Sequence, residues 1–290
     1  MTADSPLSEP VTRFAPSPTG LLHLGHAYAA FQAFDAAKKG RFILRMEDVD
    51  QSRCRPEYEA AIYEDLAWLG LVWDKPVRRQ SEHFAAYDAA LNRLRGEGLI
   101  YPCFCTRADI AAATSAPHVG PEGPVYSGTC RHLSQGDRQA RIDAGTPFAL
   151  RLKTDDAHAR AGGLVWHDAT RGAIEATPEI FGDVVLARKD TPTSYHLACT
   201  YDDAQQGVTL VTRGIDLFAA THIHRLLQAL LKLPTPQYAH HGLIVGADGK
   251  KYSKRDKAPT LRALRESGKN ADDIRQMLRE ENVPGAVLWE

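Results

Sequence analysis

The chain has 290 residues, 43% hydrophobic and 24% charged, with a formal net charge of −1 at pH 7. That is the make-up of an ordinary globular protein of one large or two smaller domains, and it excludes a general nucleic-acid coat, so any RNA contact must rest on local basic patches. The opening MTADSPLSEP lacks a basic-then-apolar leader, no apolar run reaches membrane-spanning length, and five cysteines without secretory context suit a reducing compartment; a cytoplasmic monomer without membrane contact is expected.

In chain order, Val11–Ala15 reads as a strand, Leu24–Lys38 as a helix with an apolar face and Arg41–Met46 as a second strand. Pro56–Leu69 sets Tyr58, Ile62, Leu66 and Leu69 at helical spacing. Ser81–Arg95 reads as a helix with Ser81 as N-cap and Glu82 in its first turn, closed by Gly96 and Gly98. This alternation predicts an α/β fold with a doubly wound, Rossmann-like parallel sheet. The pattern breaks over residues 101–136, which hold cysteines and a Gly/Pro-rich stretch near His118–Gly128, and 147–190 carry short strand-like runs at Phe148–Lys153 and Asp183–Ala187. An α+β insertion is therefore expected over 101–190. The doubly wound pattern resumes with Tyr195–Cys199, Val208–Thr212 and the helix Ala219–Leu231, so 11–100 and 191–258 are expected to be two halves of one domain. Residues 259–290 read as a short helical C-terminal region, with Arg262, Arg265, Lys269, Arg275 and Arg279 on 260–280. The chain has no internal repeat and no GxGxxG dinucleotide fingerprint.

Residues 13–26, RFAPSPTGLLHLGH, run from a strand through a Pro/Gly turn into a helix start. A helix start attracts anions, because its first N–H groups lack partners and the dipole favours negative charge. His23 and His26 add imidazoles there, and Gly25, without a Cβ, lets a ligand press on the backbone. The plainer reading is that the two histidines only cap or pack the helix. Far down the chain, Lys250-Lys251-Tyr252-Ser253-Lys254-Arg255 supplies mobile cations and a hydroxyl, unless Gly249–Lys257 is only a solvated basic loop. Together the two segments look like a nucleoside triphosphate site, with Mg²⁺ bridging the phosphates.

HLGH and KYSKR resemble the two signature motifs of class I aminoacyl-tRNA synthetases. RFAPSPTG, Leu44–Asp50 (LRMEDVD) and VTRGIDL narrow the resemblance to the glutamyl/glutaminyl branch, over roughly residues 11–258. The resemblance implies that ATP is held by His23, Gly25, His26, Ser253 and Lys254, with His23, His26 and Lys254 catalytic. It implies a glutamate site at Arg13, Phe14, Ala15, Pro16, Ser17, Glu47, Tyr195 and Arg213. Guanidinium forks suit carboxylates, so Arg13 and Arg213 would hold one each, in an order the sequence leaves open. Glu47 would pair with the ammonium, while Ser17 and Tyr195 add hydroxyls. Arg45 reads as no more than a surface ion pair with Glu47 and receives no role. Tyr252 stands where the second motif usually has Met or Leu, and Arg255 where it has Ser or Gln; Lys254 is in place.

Cys103-Phe104-Cys105 and Cys130-Arg131-His132 have a spacing that suits a closed tetrahedral zinc site clamping two chain segments. Within the branch, one pattern uses the His after the last Cys and the other the Tyr before it. This chain has both His132 and Tyr126, so the fourth ligand stays open, with Tyr126 preferred by the resemblance. The ion would be structural. Cys54 and Cys199 read as small packed side chains.

The chain ends about 35 residues after Lys254, without room for an anticodon-reading domain. That makes it similar to the glutamyl-Q tRNA(Asp) synthetases, a shortened branch that attaches glutamate to the queuosine base of the tRNA(Asp) anticodon. The implied partners are ATP, L-glutamate and queuosine-bearing tRNA(Asp), with basic residues after Gly249 and on 260–280 as phosphate contacts. The rival readings are a small glutamyl-tRNA synthetase charging a tRNA 3′ end, a catalytically silent zinc-stabilised RNA-binding paralogue, and an adenylyltransferase acting without RNA.

Overall fold

The computed structural model describes residues 9–106, 108–110, 119–121, 123–244 and 259–280. The first part runs β1 (Val11–Phe14), α1 (Leu24–Ala37), β2 (Arg41–Met46), α2 (Pro56–Trp68), β3 (Asp74–Arg79) and α3 (Phe84–Gly96). The middle part holds β4 (Ile100–Cys103), β5 (Val119–Gly120), β6 (Gly123–Pro124), α4 (Gln135–Asp143), β7 (Ala149–Leu152), α5 (Thr154–Ala161), β8 (Val165–Asp168), β9 (Gly172–Glu175) and β10 (Val185–Ala187). The last part is α6 (Tyr195–Gln205), β11 (Leu210–Gly214), α7 (Ala220–Leu231), β12 (Gln237–His241), α8 (Leu261–Glu266) and α9 (Ala271–Glu280).

β1, β2 and β3 form a parallel sheet in that order. β2, with sequence RFILRM, is buried from Phe42 to Met46, as a parallel strand covered on both faces must be. β11 and β12 are parallel neighbours in a second sheet, ordered β11-β12-β8-β9. The two sheets meet where Thr209, just ahead of β11, donates its N–H to the Val11 carbonyl at 3.0 Å and its hydroxyl accepts from the Val11 N–H at 2.9 Å. β1 thus lies beside β11, and successive strands run outward from that seam in both directions. This is the Rossmann-like arrangement, and its crevice opens where the strand order reverses.

One apolar core, containing Tyr87, Leu94, Trp166, Leu197, Leu226 and Tyr238, joins α3, the β8 region, α6, α7 and β12. A second, containing Phe31, Leu44, Leu66, Leu261 and Ile274, lies on α1, β2, α2 and the two C-terminal helices. A small third cluster holds Tyr101, Cys103, Phe104, Tyr126 and Cys130.

Several elements differ from the sequence reading. Ser81 does not cap α3: its hydroxyl donates to Asp48 at 2.5 Å, and a short 3-10 turn, Gln80–His83, precedes the helix. Tyr195–Cys199 is the opening of a helix, capped by Ser194. Within the segment expected to be an insertion, the β8–β9 hairpin pairs with β12 through Asp168 and Tyr238, so it extends the sheet of the last part. β3 and β12 have little apolar alternation and were not foreseen; one is charged and the other carries two buried histidines. The C-terminal arginines are partly engaged: Arg265 meets Asp65 at 3.2 Å and Arg275 meets Asp35 at 3.3 Å. Among the described residues, no helix is long and apolar enough to cross a membrane.

Candidate active site

A cavity of about 600 Å³ opens at the reversal point. The strand ends and the loops after them line it: Arg13, Phe14, Ala15, Pro16 and Ser17 from β1, Glu47 after β2, and Arg213 and Gly214 from β11. His23, Gly25 and His26 line it from the start of α1, and Tyr195 from the start of α6. The structure therefore brings together in one cavity every expected ATP and glutamate residue that it describes. Ser253 and Lys254 lie outside the described residues, as do Tyr252 and Arg255. The flanks of that segment are nonetheless fixed at the cavity: Ile244 lines it, and Thr260 forms an isolated β-bridge with His23 while Leu261 donates to the Leu22 carbonyl at 2.9 Å.

The α1 start is internally capped. The His23 Nδ1 accepts from the Gly25 N–H at 3.1 Å, and the His26 Nδ1 accepts from the His23 N–H at 3.2 Å, with the rings 3.9 Å apart. An imidazole whose Nδ1 accepts carries its proton on Nε2, so each ring has an N–H donor on its far edge. The plainer reading of the histidines as caps thus holds geometrically, and it orients the donors that the other reading requires. Gly25 also has a local reason: a Cβ there would meet the His23 ring at 3.0 Å. The Gly25 backbone N–H, expected to face an anion, is already taken by that ring.

Beneath the cavity floor lies a charge network that the sequence reading missed. Arg13 donates through Nε to Asp203 at 3.0 Å and through Nη1 to the Thr212 carbonyl at 3.0 Å. Arg45 donates to the same Asp203 oxygen at 2.7 Å and to Glu47 at 3.3 Å. Arg45 is 0% exposed, so the expectation of a surface ion pair is overturned: its place on the central strand β2 points it inward under the crevice. Arg13, expected to fork a substrate carboxylate, has its Nε edge committed to Asp203. Burial alone would raise the Asp203 carboxyl, but the charges of Arg13 and Arg45 outweigh it and hold Asp203 below the usual carboxylate range. Burial raises Glu47, against the pull of Arg45 and Arg13. Burial also pushes the Cys199 thiol up to about 12, so it stays neutral beside these ions rather than merely packing. Tyr195, Cys199 and Asp203 recur at a spacing of four, one face of a single helix. That period was the available signal for Asp203, had the segment been read as helical.

Arg213 differs from the other two arginines. It is 6% exposed, yet its partners are neutral: Nε donates to His240 Nε2 at 3.1 Å, Nη1 to the Tyr195 hydroxyl and His224 Nδ1 at 3.2 Å each, and Nη2 to Thr221 at 2.6 Å. Burial, aided by the Arg213 charge, brings His240 down to about 3 and holds His224 well below the usual histidine range. Among the described residues, no carboxylate pairs with Arg213. A buried guanidinium cannot shed its charge, so a missing counter-ion is costly unless a ligand supplies one.

The cysteines gather at the far end of β4. The sulfurs of Cys103, Cys105 and Cys130 all lie within 4.8 Å of one another, with Cys105 and Cys130 3.5 Å apart. A tetrahedral ion with Zn–S bonds of about 2.3 Å has an S–S edge of about 3.8 Å, so the thiols fit such an ion. The Tyr126 hydroxyl stands 3.5 Å from Cys105 and accepts from the Cys130 N–H at 2.8 Å. His132 is exposed and makes no contact with the thiols among the interactions described.

Comparison with known proteins agrees with this geometry. Residues 10–282 match the family model described as "tRNA synthetases class I (E and Q), catalytic domain". A protein of Rhodobacter capsulatus named glutamyl-Q tRNA(Asp) synthetase is 50% identical over 278 residues, covering 92% of this chain and 99% of that protein. A glutamate–tRNA ligase of Aquifex aeolicus is 39% identical over 264 residues, which span 90% of this chain and 55% of the ligase. In three dimensions the chain is similar to a glutamate–tRNA ligase of Elizabethkingia meningosepticum solved in complex with its amino acid. The TM-score is 0.75 at 28% identity, over 93% of this chain and 60% of that one.

Asp203 should be the structural keystone. Replacing it with Asn leaves Arg13 and Arg45 buried without their shared counter-ion and is expected to cost about 3–5 kcal/mol in denaturant unfolding at pH 7. Because the folded Asp203 is more acidic than the unfolded one, its contribution is present above the usual carboxylate range and is lost as pH falls through the lower folded value. Wild-type stability should therefore fall more steeply on acidification than that of the Asn variant.

Proposed function

The chain belongs to the class I aminoacyl-tRNA synthetase family of the glutamyl/glutaminyl type, and we propose that within it the protein activates L-glutamate with ATP and transfers it to the queuosine base of tRNA(Asp). It is a ligase. The observation that carries the choice of glutamate is Arg213, a buried guanidinium held by His240, His224, Tyr195 and Thr221 with no carboxylate beside it among the described residues. Around it, among the described residues, Arg13 and Arg45 pair with Asp203 and Glu47 while Arg213 has no ion pair. An amino acid with two carboxylates and one ammonium would bring the missing negative charge, and Glu47, which lines the cavity, would take the ammonium.

The reaction needs positioning more than acid–base chemistry. The glutamate α-carboxylate is already ionised and attacks the α-phosphorus of ATP in line; pyrophosphate leaves and glutamyl-adenylate forms. His23 and His26 would donate Nε2–H bonds to the phosphate as charge builds, because their Nδ1 atoms are taken by the backbone. Lys254 and Ser253 would reach the β- and γ-phosphates from the segment anchored at Ile244 and Thr260. Mg²⁺, which class I synthetases use with ATP, neutralises charge on the phosphates. Zinc would be held by Cys103, Cys105, Cys130 and, in preference to His132, Tyr126, clamping the ends of a module with little core of its own.

Transfer to queuosine is supported by the name and the nearly complete coverage of the Rhodobacter capsulatus relative. The match to glutamate–tRNA ligases favours the second reading, transfer to a tRNA 3′ end. Incubation with ATP, labelled glutamate and tRNA with or without queuosine, followed by nuclease digestion, separates the two. Label should appear on the queuosine nucleoside; label on the terminal adenosine overturns the preferred acceptor.

Arg213→Ala should lower glutamate-dependent pyrophosphate exchange by about a hundredfold or more while the protein remains folded, since it removes a buried charged hydrogen-bond partner of the substrate. Elemental analysis should find about one zinc per chain, and Cys130→Ala should lose it together with thermal stability; a metal-free wild-type protein of unchanged stability rejects the zinc assignment.

A further inference from the structure

The cavity-lining residues leave unexplained a pair just behind them. We propose that His240, oriented by Asp168, is a positioning residue that aims the Arg213 guanidinium at the glutamate carboxylate. The inference rests on the reading of Arg213 as the glutamate-binding arginine.

His240 sits near the end of β12 and does not line the cavity; Asp168 ends the neighbouring strand β8. Both side chains are 0% exposed and the His240 Nδ1 lies 2.7 Å from the Asp168 Oδ2. The same oxygen accepts from the His240 backbone N–H at 3.2 Å, so strand pairing and side-chain contact hold one geometry. The other Asp168 oxygen is fixed by the Thr170 and Arg171 N–H groups of the β8–β9 turn and by the Thr170 hydroxyl. The imidazole ring stacks parallel to Tyr238 and meets Phe218 and Trp166 edge-on, which prevents it from turning over.

A carboxylate on one side of the ring accepts a hydrogen bond from Nδ1–H, and a guanidinium on the other requires Nε2 to present a lone pair. Both demands select the same neutral tautomer. The arrangement parallels the carboxylate–histidine–metal unit, with a guanidinium in place of the metal. With Nε held by His240 and Nη1 by Tyr195 and His224, the guanidinium plane is fixed, and Nη2, bonded to Thr221, has a second N–H for the cavity. Tyr195 accepts from Arg213, so its own O–H proton points elsewhere, and the two groups together form a clamp for one carboxylate. Histidine suits this place because it accepts from the guanidinium without neutralising it. A carboxylate in direct contact would consume the charge that the substrate needs.

Two half-isosteres separate the contacts of the ring. His240→Gln places a carbonyl acceptor where Nε2 stands, and His240→Asn keeps a donor toward Asp168 but leaves the Arg213 Nε–H unpaired. In ATP–pyrophosphate exchange, H240N should raise the glutamate KM about tenfold or more, with kcat and the ATP KM within about threefold of wild type. H240Q should recover most of the glutamate KM. Equal glutamate KM values in H240N and wild type, or a loss confined to kcat, overturn the proposal. Nitrogen-15 NMR of the folded wild-type protein tests it without a variant: His240 should carry its proton on Nδ1, and a protonated Nε2 rules the arrangement out. If wild-type protein shows no exchange with glutamate, the functional reading fails instead, whereas the tautomer result still reports on the positioning geometry.

Discussion

The structure turns on the burial of arginines, which cannot be neutralised by deprotonation. β1, β2 and β11 each send one guanidinium, Arg13, Arg45 and Arg213, into the floor of the same crevice. Desolvating such charges is affordable only with counter-ions in good geometry. That requirement fixes α6, because Asp203 must reach Arg13 and Arg45 at once. It also fixes the protonation of the neighbours. Asp203 is held ionised by the two guanidiniums, Cys199 is held neutral by burial and by the Asp203 and Glu47 charges, and His224 and His240 are held neutral by burial and by the Arg213 charge. The same helix face then presents Tyr195 to the cavity and Asp203 to its floor, so a single α6 docking both neutralises the floor and completes the wall.

Among the described residues the arginines are compensated unequally. Arg13 and Arg45 share Asp203, and Arg45 also holds Glu47. Among the described residues Arg213 meets neutral groups, the lone pairs of His240, His224, Tyr195 and Thr221. Neutral acceptors fix its orientation without cancelling its field, so the site is organised before an anion arrives and little reorganisation is left for the reaction.

Short motifs were legible because they put rare residue types at fixed spacings. RFAPSPTG and HLGH located the β1 end and the α1 start, and Glu47, Tyr195 and Arg213 do line the cavity with them. The supporting residues were not legible. Arg45, Asp203 and His240 are polar residues in buried strands and helices, where hydrophobic periodicity says nothing of partners distant in sequence, 158 residues for the Arg45–Asp203 contact and 72 for His240–Asp168. β3 and β12 were missed for a related reason. β3 is tied to α6 by the ion pair of Arg78 with Asp202, and β12 meets β8 through the buried His240 and Asp168, neither depending on alternating apolar residues. Tyr195–Cys199 was legible as a point of interest but not as a helix, because the run is too short to show its period until Asp203 is counted with it.

At the α1 start, the bonds that cap the helix also orient two imidazoles toward the cavity. Helix N-termini usually bind phosphate through free backbone N–H groups. Here the Gly25 and His23 N–H groups are spent on the Nδ1 atoms of His23 and His26. Phosphate would therefore meet ring Nε2–H groups, which stand further from the helix axis than backbone amides and can reach a phosphorus undergoing in-line attack. Serine, asparagine or aspartate at position 23 could cap the helix equally well. Serine and aspartate would add no N–H donor beyond the cap, and the amide donor of asparagine would lie closer to the backbone than an imidazole Nε2 does. The β-bridge from His23 to Thr260 adds the last constraint: the residue that caps α1 is also the residue against which the returning chain is pinned. Displacement of the His23 backbone would disturb the cap, the ring donor and that anchor together, so the fold has three separate reasons to hold this position still.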